Sequence, residues 1–206
     1  MIRKQLYWMM GLVMVLTSCQ KEETTSPDET IFQTITVSIP QEVGTRGSTG
    51  DGSLINRCIL QVYRNEQPVG ERQTVAITGS TITFNVSLSS QQTYDLVFWA
   101  DCATRNEDGF EDKFYDTGNL EAVTLKNLGN NDQYTEANEY DAFSACVSYK
   151  ATGNSSGTVI LTRPFGRVNI RNSAPFVTGG MAVSVTYRQV ATQYNVRTCI
   201  KTLPQC

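Results

Sequence analysis

One stretch of this chain, residues 80–88, alternates strictly between apolar and polar side chains. Its apolar members are Ile82, Phe84, Val86 and Leu88, and threonine, asparagine or serine stands between them. A period of two is that of a β-strand, whose successive side chains point to opposite faces of a sheet. The alternation therefore predicts a strand with one buried and one solvated face, as in an antiparallel sheet that packs on one side.

The same period recurs along most of the chain. Residues 31–39 have one apolar face, formed by Ile31, Ile35, Val37 and Ile39. Residues 94–102 are apolar on both faces, which predicts a central strand with Trp99 in the core. Further strand signals lie at residues 57–64, 74–78, 143–149, 157–161, 165–171 and 181–187. Roughly nine short strands, with no helical period beyond residue 18, predict an all-β fold, an antiparallel sandwich or barrel.

Polar segments separate these strands. Residues 65–70 predict a turn, and residues 103–119 and 129–141 predict loops. The loops carry the aromatic residues Phe110, Phe114, Tyr115 and Tyr134. These side chains either form an exposed ligand surface or pack back onto the sheet. The acidic residues at 107–112 lack the alternating oxygen ligands of an EF-hand, so a solvated loop is favoured over a calcium site.

The first 18 residues have the layout of a secretory signal peptide. Arg3 and Lys4 precede an apolar run at residues 6–16, which is about half of the roughly 20 residues that a membrane-spanning helix needs. The following motif, Leu16-Thr17-Ser18-Cys19, resembles the lipobox of bacterial lipoproteins. That resemblance implies cleavage after Ser18 and attachment of a diacylglyceryl group to Cys19.

Residues 19–30 are polar and charged, which predicts a flexible tether between the lipid and the folded domain. Its acidic pair, Glu22 and Glu23, resembles the signal that sends Bacteroidetes lipoproteins to the outer face of the outer membrane. The alternative is an ordinary solvated charge run.

Composition excludes several classes of function. The chain contains no histidine, which removes Ser-His-Asp and Cys-His nucleophiles and the commonest zinc ligand sets. Paired carboxylates remain available, but no site for them is visible. The net charge of −3 includes no basic stripe for a nucleic acid. We therefore expect a protein that is not an enzyme and has no cofactor, no metal and no nucleic-acid partner.

Five cysteines follow Cys19: Cys58, Cys102, Cys146, Cys199 and Cys206. Export permits disulfides, but the number is odd and no CxxC spacing indicates a metal or redox site. Cys58, Cys102 and Cys146 lie in apolar runs, where a free cysteine behaves as a small buried hydrophobe. This interpretation is favoured over a structural bridge.

Several motifs in a fixed order resemble a known family. They are the lipobox, the first strand ending at Pro40, Thr45-Arg46-Gly47, CILQVY at 58–63, VFWA at 97–100 and RPFGRVNI at 163–170. Together they are similar to a fimbrillin-like Bacteroidetes lipoprotein of the type V pilus subunit superfamily, in a subgroup without an assigned function. The similarity covers residues 19 to about 187.

The resemblance implies a transthyretin-like β-sandwich over residues 31–173. It also implies a pilin route, in which a trypsin-like protease cleaves after an arginine, the first strand is lost and a strand of the next subunit fills the groove. Arg46 matches the position of that cleavage. Residues 174–206 would then be the start of a second β domain that is cut short, and residues 196–206 fit no predicted element.

These observations lead to two expectations about function. The first is a structural lipoprotein at the cell surface, a pilus subunit, anchor or tip, whose partners are the outer membrane and other pilus subunits. The alternative is a surface lipoprotein that binds a ligand such as a glycan through the loops at 103–119 and 129–141.

Overall fold

The structure is a computed structural model that describes residues 29–40, 52–126, 137–153, 157–165 and 191–202. These residues form thirteen β-strands and one 3₁₀ turn, and they contain no α-helix. The strands are β1 (Thr30–Ser38), β2 (Arg57–Arg64), β3 (Gln67–Ala76), β4 (Thr81–Ser89), β5 (Thr93–Asp101), β6 (Thr104–Asn106), β7 (Gly109–Glu111), β8 (Tyr115–Asp116), β9 (Val123–Leu125), β10 (Ala142–Lys150), β11 (Thr158–Ile160), β12 (Gln193–Asn195) and β13 (Ile200–Thr202). The 3₁₀ turn is Ala137–Tyr140.

Most of the strands belong to three sheets. The first sheet has the order β11-β1-β4, the central sheet β10-β5-β2-β3, and the covering sheet β13-β12-β9-β8. β6 and β7 form a separate hairpin. Neighbouring strands are antiparallel, except that β1 and β11 run parallel. The predicted all-β sandwich is confirmed.

The first core lies between the first sheet and the central sheet. Val37 and Phe84 of the first sheet and Leu60 and Phe98 of the central sheet belong to one buried cluster. The rings of Phe84 and Phe98 are 5.8 Å apart. The polar residues of β4 alternate with its buried ones and are exposed, as the period of two predicts.

The second face of the central sheet is buried as well. Ile59, Val97 and Trp99 point away from the first core and pack with Val123 and Tyr194 of the covering sheet. β5 therefore has both faces covered, and the prediction that residues 94–102 form a central strand around Trp99 is confirmed. The covering sheet makes the sandwich three layers deep.

The turn predicted at residues 65–70 is only two residues long. Asn65 and Glu66 both have positive φ, the backbone of a primed two-residue hairpin turn. Gln67–Ala76 then forms β3, which includes Pro68 and Gly70. Proline is tolerated there because β3 is an edge strand of the central sheet.

The segment predicted as a solvated loop at residues 103–119 is partly structured. Its middle is the hairpin of β6 and β7, in which β6 is exposed. Its end, from Phe114, contributes β8 to the covering sheet and buried side chains to the second core. The prediction that residues 196–206 fit no element is wrong for the described part. Val196 is buried and donates its N–H to the Leu120 carbonyl at 2.9 Å, and β13 pairs with β12.

Four cysteines lie in the part of the chain that the structure describes, and all of them are free thiols. Cys58 and Cys102 are buried, as predicted, and Cys146 is half-buried. Burial, followed by the charge of Asp101, raises the pKa of Cys58 to about 12, which keeps this thiol neutral. The strand predicted at 181–187, most of that at 165–171 and Cys206 lie outside the described residues, and the domain boundary at residue 174 stays a prediction.

Candidate functional site

The two predicted modification sites, Cys19 and Arg46, lie outside the described residues. Lipidation of Cys19 and cleavage after Arg46 therefore stay predictions. The structure does describe residues 29–40, the segment that lies between them in sequence. These residues include β1, the strand whose removal the resemblance implies.

β1 is the middle strand of the first sheet. It pairs with β4 over its whole length, from Thr30 opposite Ser89 to Ser38 opposite Thr81. On its other edge it pairs with β11 through residues 36–38. Hydrogen bonds continue beyond the strand, because Ile39 donates its N–H to the Ser80 carbonyl at 3.0 Å.

The two faces of β1 differ sharply. Ile35, Val37 and Ile39 are buried in the first core, whereas Phe32 on the opposite face is 83% exposed. Burial of such side chains stabilises a fold by roughly 1.5–3 kcal/mol each. Loss of β1 would therefore open an apolar slot between β4 and β11.

The predicted aromatic ligand surface is not formed by Phe114 and Tyr115. Both side chains are 6% exposed and belong to the second core. The Tyr115 hydroxyl donates to the Tyr140 carbonyl at 2.6 Å, and the Phe114 ring lies 4.2 Å from the Tyr140 ring. Phe110 is half-buried, and Tyr134 lies outside the described residues. Of the two alternatives for the loop aromatics, packing back onto the sheet is confirmed for Phe114 and Tyr115.

A buried ion pair joins the ends of two strands of the central sheet. Arg57 at the start of β2 donates from Nε to Asp101 Oδ1 at 2.7 Å and from Nη2 to Asp101 Oδ2 at 3.0 Å. Arg57 Nη2 also donates to Asp112. Burial opposes the charge of Arg57, but the hydrogen bond and charge of Asp101, followed by those of Asp112, raise its pKa.

Asp112 carries this network into the segment after β7. Its carboxylate accepts the Thr117 backbone N–H at 2.7 Å and the Thr117 hydroxyl at 2.8 Å. Burial alone would raise the pKa of Asp112, but the hydrogen bonds from Thr117 and Arg57 outweigh it and lower the pKa. The ionised carboxylate of Asp112 therefore links residues 112–117 to Arg57 of β2 by hydrogen bonds.

Beside this network lies a groove that faces solvent. It consists of two adjoining depressions of about 520 Å³ and about 290 Å³, and both are lined by Arg72 and Gly118. Arg72, on β3, donates to the Thr117 carbonyl at 2.6 Å and to the Thr117 hydroxyl at 2.9 Å. Lys126 lines the larger depression and donates to the Asp112 carbonyl at 2.7 Å. We call this surface the Arg72 groove.

In the described ranges, no three histidine, cysteine, aspartate or glutamate residues lie where they could hold a metal ion together. The same ranges contain no helix with the length and apolar character to cross a membrane.

A comparison with protein families decides where the chain belongs. One family model matches residues 24–200, which is most of the chain. The chain belongs to the family of unknown function DUF6562. This match extends over β1, the buried ion pair and the Arg72 groove, so these features all lie within the DUF6562 region. A comparison with curated proteins finds no match.

Two solved structures are similar to part of this DUF6562 protein. One is a DUF1812 protein of Bacteroides thetaiotaomicron to which polysaccharide binding has been attributed, with 9% identity and a TM-score of 0.40 over 65% of this chain and 46% of that chain. Another is a fimbrial assembly protein of Parabacteroides distasonis, with 12% identity and a TM-score of 0.36 over 66% of this chain and 54% of that one. The DUF6562 chain thus spans about half the length of each.

The sequence did not predict the network formed by Arg57, Asp101 and Asp112. Arg57 marks only the edge of a predicted strand, and Asp112 falls within an acidic run. One signal was available, because Asp101 ends the otherwise apolar stretch 96–100, and a carboxylate at the end of a central strand needs a partner. Arg72 carries no such signal, since it stands among exposed polar residues of β3.

Proposed function

We propose that this protein is a structural lipoprotein of the fimbrial type at the cell surface, which assembles by exchange of its first strand. The observation that carries the proposal is the position of β1. This strand is hydrogen-bonded on both edges and carries the buried side chains of Ile35 and Val37, with Ile39 directly after it. Its covalent connection to the later strands runs through residues 41–51. The resemblance to fimbrillin-like lipoproteins supports the same assignment.

The geometry of the first sheet suits replacement of β1 by another strand. Without β1, β4 would present nine unpaired residues on one side of the slot, and β11 would present a short edge on the other. Unpaired strand edges beside an apolar slot favour the addition of a strand. A strand with the polarity of β1 would be antiparallel to β4 and parallel to β11, and it would need an apolar residue at every second position.

Anchoring and assembly are linked in this proposal. The lipid on Cys19 lies before β1 in sequence, and the cleavage site at Arg46 lies after it. One cut after Arg46 therefore separates the lipid and β1 together from the remainder of the chain. The cleaved body would be held at the surface by its neighbours instead of its own lipid, with the outer membrane and other subunits as its partners.

Limited trypsin digestion followed by mass spectrometry tests the proposal. A cut after Arg46, which stands in a glycine-rich stretch of the sequence, should come early. Arg57 is buried in its ion pair and Arg72 is half-buried, and fragment masses identify any cut at the exposed Arg105 or Lys126.

A cut after Lys21 leaves β1 attached, and fragment masses distinguish it from the cut after Arg46. Arg46→Ala should abolish only the latter. After cleavage, mild denaturant should release the fragment that contains β1 and ends at Arg46.

The released body is then offered a fluorescent peptide of residues 29–40. We expect it to bind, and a matched peptide with Val37→Asp should fail, since Val37 is fully buried. Uncut Arg46→Ala protein should bind neither peptide. Stable retention of residues 29–46, with no peptide exchange below full unfolding, would show that β1 is a permanent strand and would overturn the proposal.

A further inference from the structure

The Arg72 groove lies where the covering sheet stops short of the edge strand β3. Its floor comes from the outer face of the central sheet, where Thr74 is the register partner of the buried Ile59. Its far wall is residues 117–121, which approach β3 through the hydrogen bonds of Arg72. Arg72 and Gly118 belong to both depressions, so the groove is continuous past the guanidinium. An open, elongated groove suits an extended chain better than a compact small molecule.

The charges that line the groove are unequally neutralised. Arg57 is paired with Asp101 and Asp112, and Glu121 at the far end is paired with Arg197 at 2.6 Å. The guanidinium of Arg72 forms no ion pair with any described residue. Its hydrogen bonds go only to neutral oxygen atoms of Thr117 and Gly118. A guanidinium has five N–H donors, so at least two remain available here.

Two further observations concern the positive charge at this point of the groove. Burial lowers the pKa of Arg72, and the charge of Arg57 lowers it further, although the charges of Asp112 and Asp101 act in the opposite direction. Lys126, also at the groove, has a backbone carbonyl as its partner. An oxyanion at this point would accept hydrogen bonds from the N–H groups of Arg72 that no described residue uses.

The remaining lining residues indicate what surrounds such an oxyanion. Gln61 and Asn119 line the smaller depression, and Glu111, Thr74 and the ring of Phe110 line the larger one. Amide, hydroxyl and carboxylate groups on both sides of the Arg72 cation can form hydrogen bonds with a ligand that bears hydroxyl groups around each negative charge.

We propose that the Arg72 groove binds an acidic saccharide, with a sugar carboxylate or sulfate accepting hydrogen bonds from Arg72 and a neighbouring ring contacting Phe110. This is a binding site distinct from the β1 slot. It does not depend on strand exchange, because β1 contributes no residue to the groove.

The test measures binding of the purified protein to three oligosaccharides by calorimetry. The probes are hyaluronan, whose sugars carry carboxylates, heparin, whose sugars also carry sulfates, and neutral dextran. We expect at least one acidic oligosaccharide to bind with an affinity that falls as salt rises, and dextran to bind no better than buffer. Binding of hyaluronan would show that a sugar carboxylate is sufficient, whereas binding of heparin alone would show that sulfate is required.

Two variants locate the site. Arg72→Gln should weaken binding at least tenfold, and Lys126→Gln, which removes an exposed side chain and leaves the Thr117 contacts intact, should weaken it severalfold. The matched control is Arg64→Gln, which removes the same charge from the other end of β2, where Arg64 contacts Gln92. It should bind like the unchanged protein. Thermal melts confirm that each variant is folded.

Three results would overturn the proposal. The first is the absence of binding to either acidic oligosaccharide at millimolar concentration. The second is an equal loss of affinity in Arg64→Gln and Lys126→Gln, which would show general charge attraction. The third is tighter binding of a poly-glutamate peptide than of both acidic saccharides, which would identify a peptide site.

Discussion

Arg57 and Asp101 are partners twice, once as opposite residues in the register of β2 and β5 and once through their side chains. The side chains are 4% and 0% exposed, so this is an ion pair inside the protein. Strand pairing therefore places the two charged groups opposite each other, within reach of a hydrogen bond. The pair in turn positions Asp112 and the wall of the Arg72 groove.

Removal of one charge of this pair should strongly destabilise the fold. Asp101→Asn leaves the Arg57 cation buried with only Asp112 as an ionic partner, and breaking a buried pair costs about 3–5 kcal/mol. We expect a loss near the lower end of that range, measured by urea unfolding. Glu107→Gln, an exposed position with the same change of charge, should alter the free energy of unfolding by less than about 0.5 kcal/mol.

A double variant separates charge burial from packing. Arg57→Met combined with Asp101→Leu removes both charges, and such replacements are often neutral or stabilising. It should be more stable than Asp101→Asn alone. Equal stability of the single and double variants would show that packing, and not an uncompensated charge, accounts for the loss.

The depressed pKa of Asp112 predicts a stability that depends on acid. A carboxylate whose pKa is lower in the folded than in the unfolded state stabilises the fold above the unfolded pKa, about 3.9 for aspartate. That contribution is lost as the pH falls through the folded pKa. The difference in unfolding free energy between the unchanged protein and Asp112→Asn should therefore be largest above about pH 4 and shrink below it. A constant difference from pH 6 to pH 2 would contradict this assignment.

The burial of the loop aromatics predicts loss of stability instead of loss of binding. Tyr115 packs edge-on against Trp99, with ring centroids 5.3 Å apart, and Phe114 packs on Tyr140. Phe114→Ala should cost about 3–5 kcal/mol, as for other buried phenylalanines. Phe32→Ala, at an exposed position, is the control and should leave the melting temperature nearly unchanged. A melting temperature of Phe114→Ala equal to that of the control would mean that Phe114 is exposed after all.

The predicted lipid on Cys19 can be tested by fractionation. Two or more acyl chains give stable membrane anchoring, so the unchanged protein should sediment with the outer membrane. Cys19→Ala should remain unprocessed or appear in the soluble fraction, whereas Cys58→Ala, which alters a buried thiol, should fractionate normally. Sedimentation of Cys19→Ala at normal mature size after a salt wash would rule out the lipoprotein assignment.

Sequence alone was sufficient for the long strands. The alternation in residues 31–39 and 80–88 corresponds to β1 and β4, and the apolar run at 94–102 corresponds to the doubly covered β5. In β1 and β4 the burial of one face follows from the period of two, whereas the unbroken apolar run of β5 predicts burial of both faces. The placement of Trp99 in the core follows from the same local pattern.

Only the tertiary structure decided which strands are neighbours and what they enclose. Three features have no local pattern in the sequence. One is the parallel pairing of β1 with β11, and another is the covering sheet, which is built from three-residue strands such as Val123–Leu125 and Gln193–Asn195. The third is the convergence of Arg57, Arg72 and Asp112. A three-residue strand is too short to show a period, and its burial is set by residues about seventy positions away in the chain, as when β12 pairs with β9. The long strands could be predicted because the pattern of neighbouring residues in the sequence indicates which faces are buried. The groove and the ion pair depend instead on contacts that exist only once the sheets have assembled.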